Sequence, residues 1–360
     1  MAAQPDLDME KVETFAFKVI HDCIAQWMGT LSEVAGRLGL WATLATVGPV
    51  TSAEFAARAE IDERYAREWL AAMACFGYLT YDNATKRFTL PPEHALVLAD
   101  PDSSFYLAAD LALTEPFYAN VGLLAEAFRH GGGVPQERFG ENFWCALERG
   151  TRVGFHNNLV QDWIPAMPDV DANLRAGGSV ADVGCGNGQA LIYLAKGYPG
   201  ATLVGFDAYA PAIAAANANA EAAGLADRLH FEVCDVAAGI PGTYDLITTF
   251  DVVHDMARPR MALQAIKRAL KPEGTYFALE FNFSGDVQEN IDHPFGLGAY
   301  GYAVSVNYCM TQSLAAGGEG IGTCMGEAKM RELATEAGFT HVRRLDIPTN
   351  PFNIFYEIRA

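Results

Sequence analysis

Apolar residues in the first part of the chain recur at three- and four-residue steps. The run "FAFKVIHDCIAQWMGTLSEVAGRLGLWATLA" predicts one long amphipathic helix or a helix pair. Thr51-Ser52-Ala53-Glu54 is a helix-start signature, Asp62 or its neighbours cap a following helix that ends near Gly77, and "YLTYDNATKRFTL" reads as two short strands around a polar turn. Three helices and a hairpin form a winged helix-turn-helix pattern. Near residue 178 the texture changes. "SVADVG", "ATLVGFD", "RLHFEVCD", "YDLITTFDVVH" and "GTYFALEFN" are apolar strand-like runs separated by helical stretches, and the end of the chain adds a helix and two more strands. Such alternation predicts an α/β fold: a doubly wound, mostly parallel seven-stranded sheet covered on both faces, with its ligand across the carboxyl ends of the strands. The expected divisions are a winged-helix and dimerisation domain at 1–100, a helical connector at 101–177, and the sheet domain at 178–360 with a lid insertion at 284–325.

Charge narrows the partners. The net charge of −19 and pI near 4.7 disfavour phosphate backbones, which are held by Lys and Arg. Residues 1–100 carry 8 Lys plus Arg against 14 Asp plus Glu, and Arg64 and Arg67 of the would-be recognition helix stand beside Glu63 and Glu68. The winged helix is therefore read as a packing or dimerisation module rather than a nucleic-acid reader, and the apolar stripes of residues 9–47 suggest a homodimer. The acidic start "MAAQPDLDMEKVETF" lacks the pattern of a signal peptide and no run suits a membrane span, so the expectation is a cytoplasmic protein without a membrane partner. Seven scattered cysteines without a C-x-x-C pair suggest neither a disulfide framework nor a zinc site, and no trio of metal ligands stands at usable spacing; most of the cysteines are expected as small buried hydrophobes.

The most specific chemistry lies in "VADVGCGNGQALIYLA". Gly184, Gly186 and Gly188 follow a buried strand and open a helix, so backbone N–H groups can face a ligand without side-chain obstruction. Nicotinamide and flavin sites use the same physics, but the spacing here is G-x-G-x-G, with Asp182 just before the loop. Asp207, ending the second strand, can accept both hydroxyls of a ribose. Asp235, after the third, can accept the exocyclic amine of adenine while the Val236 N–H meets a ring nitrogen.

At these residues the chain resembles the class I S-adenosylmethionine-dependent methyltransferases. Through "YAREWLAAMACFGYLTYD", "FRHGGGVPQERFG" and "GEGIGTCMGEAKMRELATEAGF" it is also similar to a bacterial group with an N-terminal winged helix, laid out like plant small-molecule O-methyltransferases. The resemblance implies S-adenosyl-L-methionine as cofactor, the three glycines around its methionine portion, Asp207 at the ribose, Asp235 and Val236 at the adenine, and Phe250 near the sulfonium. It also implies a small-molecule methyl acceptor.

Methyl transfer to a hydroxyl needs a group to take the proton. His254, four residues beyond Phe250, suits that task, with Asp255 orienting it; plant O-methyltransferases carry a similar His-Asp pair, although Met256 here replaces the aromatic residue that usually follows. The same His-Asp pair reads equally as a helix-capping turn. The insertion offers His293, Tyr300, Tyr302, Tyr308 and Met310 as acceptor-pocket residues, with His293 before Pro294 as a second candidate base or a turn residue, and Trp144, Phe155, His156 and Trp163 of the connector form the other wall; all are open to a core or dimer role instead. The alternatives are a transcription regulator that binds the cofactor as a ligand, a dehydrogenase, and a relative with non-methyl-transfer chemistry.

Overall fold

The computed structural model describes residues 7–348 and 352–360; the first six residues of the acidic N-terminal stretch lie outside them. The chain divides into two compact units, one comprising residues up to Tyr118 with Glu141–Gly150, the other Ala119–Gly140 with Thr151 onward. The stretch 101–177, expected as one connector, is shared between them.

In the first unit, helix α1 (Met9–Arg37) starts at Asp8, whose carboxylate accepts from the Lys11 N–H at 3.3 Å. Gly39, at φ +64°, lets the chain turn into α2 (Leu40–Val47), which resolves the predicted helix pair. Thr51 and Glu54 form a reciprocal capping box at α3 (Ser52–Ala59). Asp62 caps α4 (Glu63–Phe76), which stops at the left-handed Gly77. The hairpin strands β1 (Thr80–Asp82) and β2 (Arg87–Thr89) complete the winged helix. Its core is aromatic: Trp41 and Trp69 lie 5.0 Å apart, and the Trp69 indole N–H donates to the Leu31 carbonyl at 3.1 Å. On α4, Arg64 pairs with Glu68 at 2.6 Å and Arg67 pairs with Glu63, so both arginines are neutralised within their own helix.

The second unit holds a seven-stranded sheet in the order β5-β4-β3-β6-β7-β9-β8. The strands are β3 (Ser179–Val183), β4 (Thr202–Asp207), β5 (Leu229–Val233), β6 (Tyr244–Phe250), β7 (Leu270–Phe281), β8 (His341–Leu345) and β9 (Asn353–Arg359). The first five in that order are parallel; β9 runs antiparallel to both neighbours. Two apolar cores cover the faces, one around Leu159, Leu191, Leu246 and Phe277, the other around Ile247, Leu263, Tyr276 and Met330. Burial on both faces explains why these strands read as continuous apolar runs. Strand order reverses between β3 and β6, so the loops after those two strands diverge and open a crevice at their carboxyl ends.

Only Cys185 and Cys309 are buried, and Cys75 is exposed, so the expectation that most cysteines are core residues fails for five of the seven. Among the described residues no helix is long and apolar enough to cross a membrane.

Candidate functional site at the carboxyl edge of the sheet

The glycine loop after β3 needs glycine for different reasons at each position. All three residues take positive φ: +71° at Gly184, +49° at Gly186 and +76° at Gly188. A Cβ on Gly184 would lie 2.4 Å from Val252 Cγ1, and one on Gly188 would lie 2.7 Å from Phe231 Cζ. Those two glycines let the loop pack against the turn after β6 and against β5. A Cβ on Gly186 would meet nothing within 4 Å. Gly186 therefore presents bare backbone to open space, as a ligand cradle requires.

Acidic groups surround this loop. Asp207 Oδ2 accepts from the Gly186 N–H at 2.9 Å and its Oδ1 from the Tyr209 N–H at 2.8 Å, which ties the end of β4 to the loop; burial raises its pKa. Asp182, on the buried part of β3, accepts from the Thr248 hydroxyl at 2.7 Å, and burial pushes its carboxyl up to about 7. Asp235 is half-exposed, forms an ion pair with Arg258, and accepts from the Ala237 N–H at 3.2 Å. The next residue, Val236, is only partly buried and packs against the Ile247 core. Buried carboxylates held by hydroxyls and amides are poorly compensated, and a cationic ligand in the crevice relieves them. That charge pattern and the bare face of Gly186 both fit S-adenosylmethionine, whose sulfonium is positive. Asp207 and the Gly184–Gly188 loop are residues that could hold it, and it would supply the activated methyl group.

Beyond β6 the backbone turns sharply. Asp251 sits at φ +54°, rare for a residue with a side chain, and is held there by two contacts. Its N–H donates to the Leu279 carbonyl at 2.8 Å, and its carboxylate oxygens accept from the Asn353 amide at 2.8 and 2.9 Å. A single turn of 3₁₀ helix, Val253–Asp255, follows. It buries His254 to 1% exposure. The ring is held by Glu280 at the end of β7: His254 Nδ1 and Glu280 Oε2 are 2.6 Å apart, and Glu280 Oε1 accepts from the Val253 N–H at 2.8 Å. Orientation of His254 thus comes from Glu280, not from Asp255 as expected. Strand β7 lies beside β6 and projects its acid under the turn, where it meets Nδ1. Burial disfavours the imidazolium, but Glu280 and the Cys309 thiol outweigh it and hold the His254 pKa well above its ordinary value. Burial pushes the neighbouring Asp255 carboxyl up to about 7.

The insertion is pinned onto this turn. Gln312 Nε2 donates to the Asp255 carbonyl at 2.5 Å, the Ser313 hydroxyl to the Met256 carbonyl at 3.0 Å, and the Gly322 N–H to the His254 carbonyl at 2.9 Å. Tyr308 is buried edge-on against Phe139 at 5.0 Å, and burial raises its pKa, with Asp255 adding to the rise. Met310 is partly buried in the same helical stretch. A row of rings runs outward from the histidine: His254 to Phe281 at 5.3 Å, Phe281 to Phe283 at 6.0 Å, then Phe283 to His293 at 5.7 Å and to Tyr300 at 6.4 Å. Tyr302, further along, takes a hydrogen bond from Asn290 at 3.2 Å and is otherwise exposed.

The connector residues separate. Phe155 and Trp163 pack with Phe250 at 5.1 and 6.3 Å, and Trp163 continues to Phe355 at 5.1 Å. These form an aromatic block beside the end of β6, and Phe250 belongs to it. His156 lies edge-on to Tyr193 at 5.5 Å, on the helix that follows the glycine loop. Trp144 belongs to the other unit, where it packs edge-on against Phe143 at 5.1 Å.

Three residues bearing on this site escaped the sequence reading. Glu280 had a visible signal, since it is the lone acid in the apolar run "TYFALEF". Asn353 and Cys309 had none. The structure also gathers His254, Asp255 and Cys309 so that one donor atom from each lies within 4.8 Å of the others, a trio that sequence spacing concealed.

Comparison with known proteins agrees with this frame. Residues 174–318 match the methyltransferase domain family, and residues 28–100 match the Rv2258c-like winged HTH domain. The chain thus carries a methyltransferase domain of the S-adenosylmethionine-dependent kind and an N-terminal winged HTH domain. Among characterised relatives, O-demethylpuromycin-O-methyltransferase of Streptomyces alboniger is 26% identical over 68% of this chain and 66% of its own. Human N-acetylserotonin methyltransferase, solved with S-adenosylmethionine, shares the fold with a TM-score of 0.71 at 18% identity, covering 100% of this chain and 99% of its own. An O-methyltransferase from neocarzinostatin biosynthesis, solved with S-adenosylhomocysteine and 1,4-dihydroxy-2-naphthoic acid, gives 0.61 at 21% identity over 92% and 96%. The chain spans 23%, 53% and 66% of the lengths of the first three curated relatives it matches.

Proposed function

We propose that this protein transfers the methyl group of S-adenosylmethionine to a hydroxyl of a small aromatic acceptor, with His254 taking the proton. The observation that carries the reading is the 2.6 Å contact of Glu280 with His254 Nδ1 at the switch point of the sheet. It holds the ring through Nδ1, so proton transfer from the acceptor falls to Nε2, beside the Cys309 thiol. Glu280 makes the imidazole a stronger proton acceptor, and a sulfonium bound nearby favours its neutral form, so the ring becomes a usable base when the cofactor is present. The rings of Phe281, Phe283 and Tyr300 suit a flat acceptor of the kind bound by the neighbour from neocarzinostatin biosynthesis, 1,4-dihydroxy-2-naphthoic acid.

The same reading makes the protein a cytoplasmic homodimer that does not bind nucleic acid. The internally paired arginines of α4 support the last point. Phe15, Phe17 and Trp27 of α1, exposed by 65%, 64% and 67%, support dimerisation through that helix. The test is incubation with S-adenosylmethionine and a panel of phenols and naphthols, followed by mass spectrometry. The expected result is a methyl ether and S-adenosylhomocysteine, both lost in H254A while that variant still binds S-adenosylhomocysteine. Full turnover by H254A would remove His254 from the reaction.

A further inference from the structure

We propose that His254, Asp255 and Cys309 form a binding site for a divalent cation of the zinc type. Among the described residues this is the one cluster in which three such donors converge, an imidazole nitrogen, a carboxylate oxygen and a thiol sulfur all within 4.8 Å of one another. Nitrogen, sulfur and oxygen ligands in a set of three, with a fourth position left for a small molecule, match the donor chemistry of open zinc sites; magnesium and calcium would be refused by the thiol.

A second feature points the same way. A histidine that binds a metal through one ring nitrogen commonly donates the other N–H to a carboxylate, which fixes its tautomer and raises its basicity as a ligand. Glu280 stands in that relation to His254 at 2.6 Å, with its second oxygen anchored by the Val253 N–H. The donors come from two elements that are themselves fastened together. The turn Val253–Asp255 is crossed by the helical stretch Ser305–Ala315, and Gln312 and Ser313 hold it through the carbonyls of Asp255 and Met256. The three donor atoms are therefore preorganised rather than gathered on binding. Occupation releases the thiol proton of Cys309 and any proton on His254 to solvent. The cation also takes the imidazole lone pair, so a metal-loaded site has no base to offer a hydroxyl acceptor. Binding itself does not depend on the methyl-transfer reading, and it is measured without an acceptor.

The experiment titrates the full-length protein with Co²⁺ as a spectroscopic stand-in, and with Zn²⁺ in competition. The wild type is expected to show a thiolate-to-cobalt charge-transfer band that saturates at one ion per chain. C309S is expected to lack the band and to bind Zn²⁺ at least about tenfold more weakly. E280Q should keep the band but require about 10- to 100-fold more metal. S-adenosylhomocysteine calorimetry on each variant reports whether its fold is intact, and C309A replaces C309S if the serine fails that check. Absence of the band in the wild type overturns the proposal, as does an unchanged band in the folded Cys309 variant.

Discussion

Replacing Gly186 by alanine separates cofactor binding from folding more cleanly than any other change in the loop. The residue sits at φ +49°, and an added Cβ would meet no atom within 4 Å. The folded chain then bears only left-handed strain, about 1–2 kcal/mol, or roughly 2–8 °C of melting temperature for a unit of this size. The new methyl group would occupy the open face assigned to the cofactor. S-adenosylhomocysteine affinity, measured by calorimetric titration, should therefore fall at least about tenfold, or ~1.4 kcal/mol. Gly188→Ala is the internal contrast. Its Cβ would lie 2.7 Å from Phe231 Cζ and 3.0 Å from Ala216 Cβ, so overpacking of about 1–3 kcal/mol adds to the strain. That variant should lose more stability than Gly186→Ala, by thermal melting at the same pH. If Gly186→Ala binds S-adenosylhomocysteine as the wild type does, the open face of the loop is not the cofactor face and the site as drawn is wrong.

Glu280→Gln keeps the shape of the hydrogen bond to His254 but removes the charge, so methyl transfer should slow by about 10²- to 10⁴-fold while S-adenosylhomocysteine affinity holds; turnover at the wild-type rate would exclude Glu280 as the positioning residue. Asp182 provides a pH prediction. Its folded carboxyl is raised to about 7 by burial, so the fold favours the protonated form, and its contribution to stability is lost as pH rises from about 4 to 7, with a cost of up to about 4 kcal/mol above that. In ligand-free protein, Asp182→Asn should therefore flatten the fall in melting temperature between pH 5 and pH 8; an unaltered slope would mean that the carboxyl titrates as an ordinary one. Phe15→Glu or Trp27→Glu should convert a dimer to a monomer by light scattering at micromolar concentration, whereas a monomeric wild type would count against dimerisation through α1.

Local chemistry was written plainly in the chain. Thr51 with Glu54, Asp62 and Gly77 marked where helices begin and end because caps act over three or four residues. The glycine loop was legible because positive φ restricts residue choice. Asp207 could be read as the acid beside it because the strand–turn–helix spacing places it at the end of the next strand. The alternation of apolar strands and helices specified a mostly parallel sheet, and with it the edge at which such sheets bind their ligands. What the pattern of residues could not decide was which side chains meet across that edge. His254 finds its partner 26 residues on, at Glu280, because β6 and β7 are neighbours in the sheet. Asp251 keeps its strained turn through Asn353, 102 residues away, because β9 inserts between β7 and β8. Cys309 reaches His254 only because the insertion folds back over the turn. Such pairings depend on strand order and on the return path of a long loop, which are set by burial summed over the whole sheet rather than by any local spacing. The sequence therefore specified the glycine loop and the acids at the strand ends, and the tertiary structure decided which side chains meet around His254.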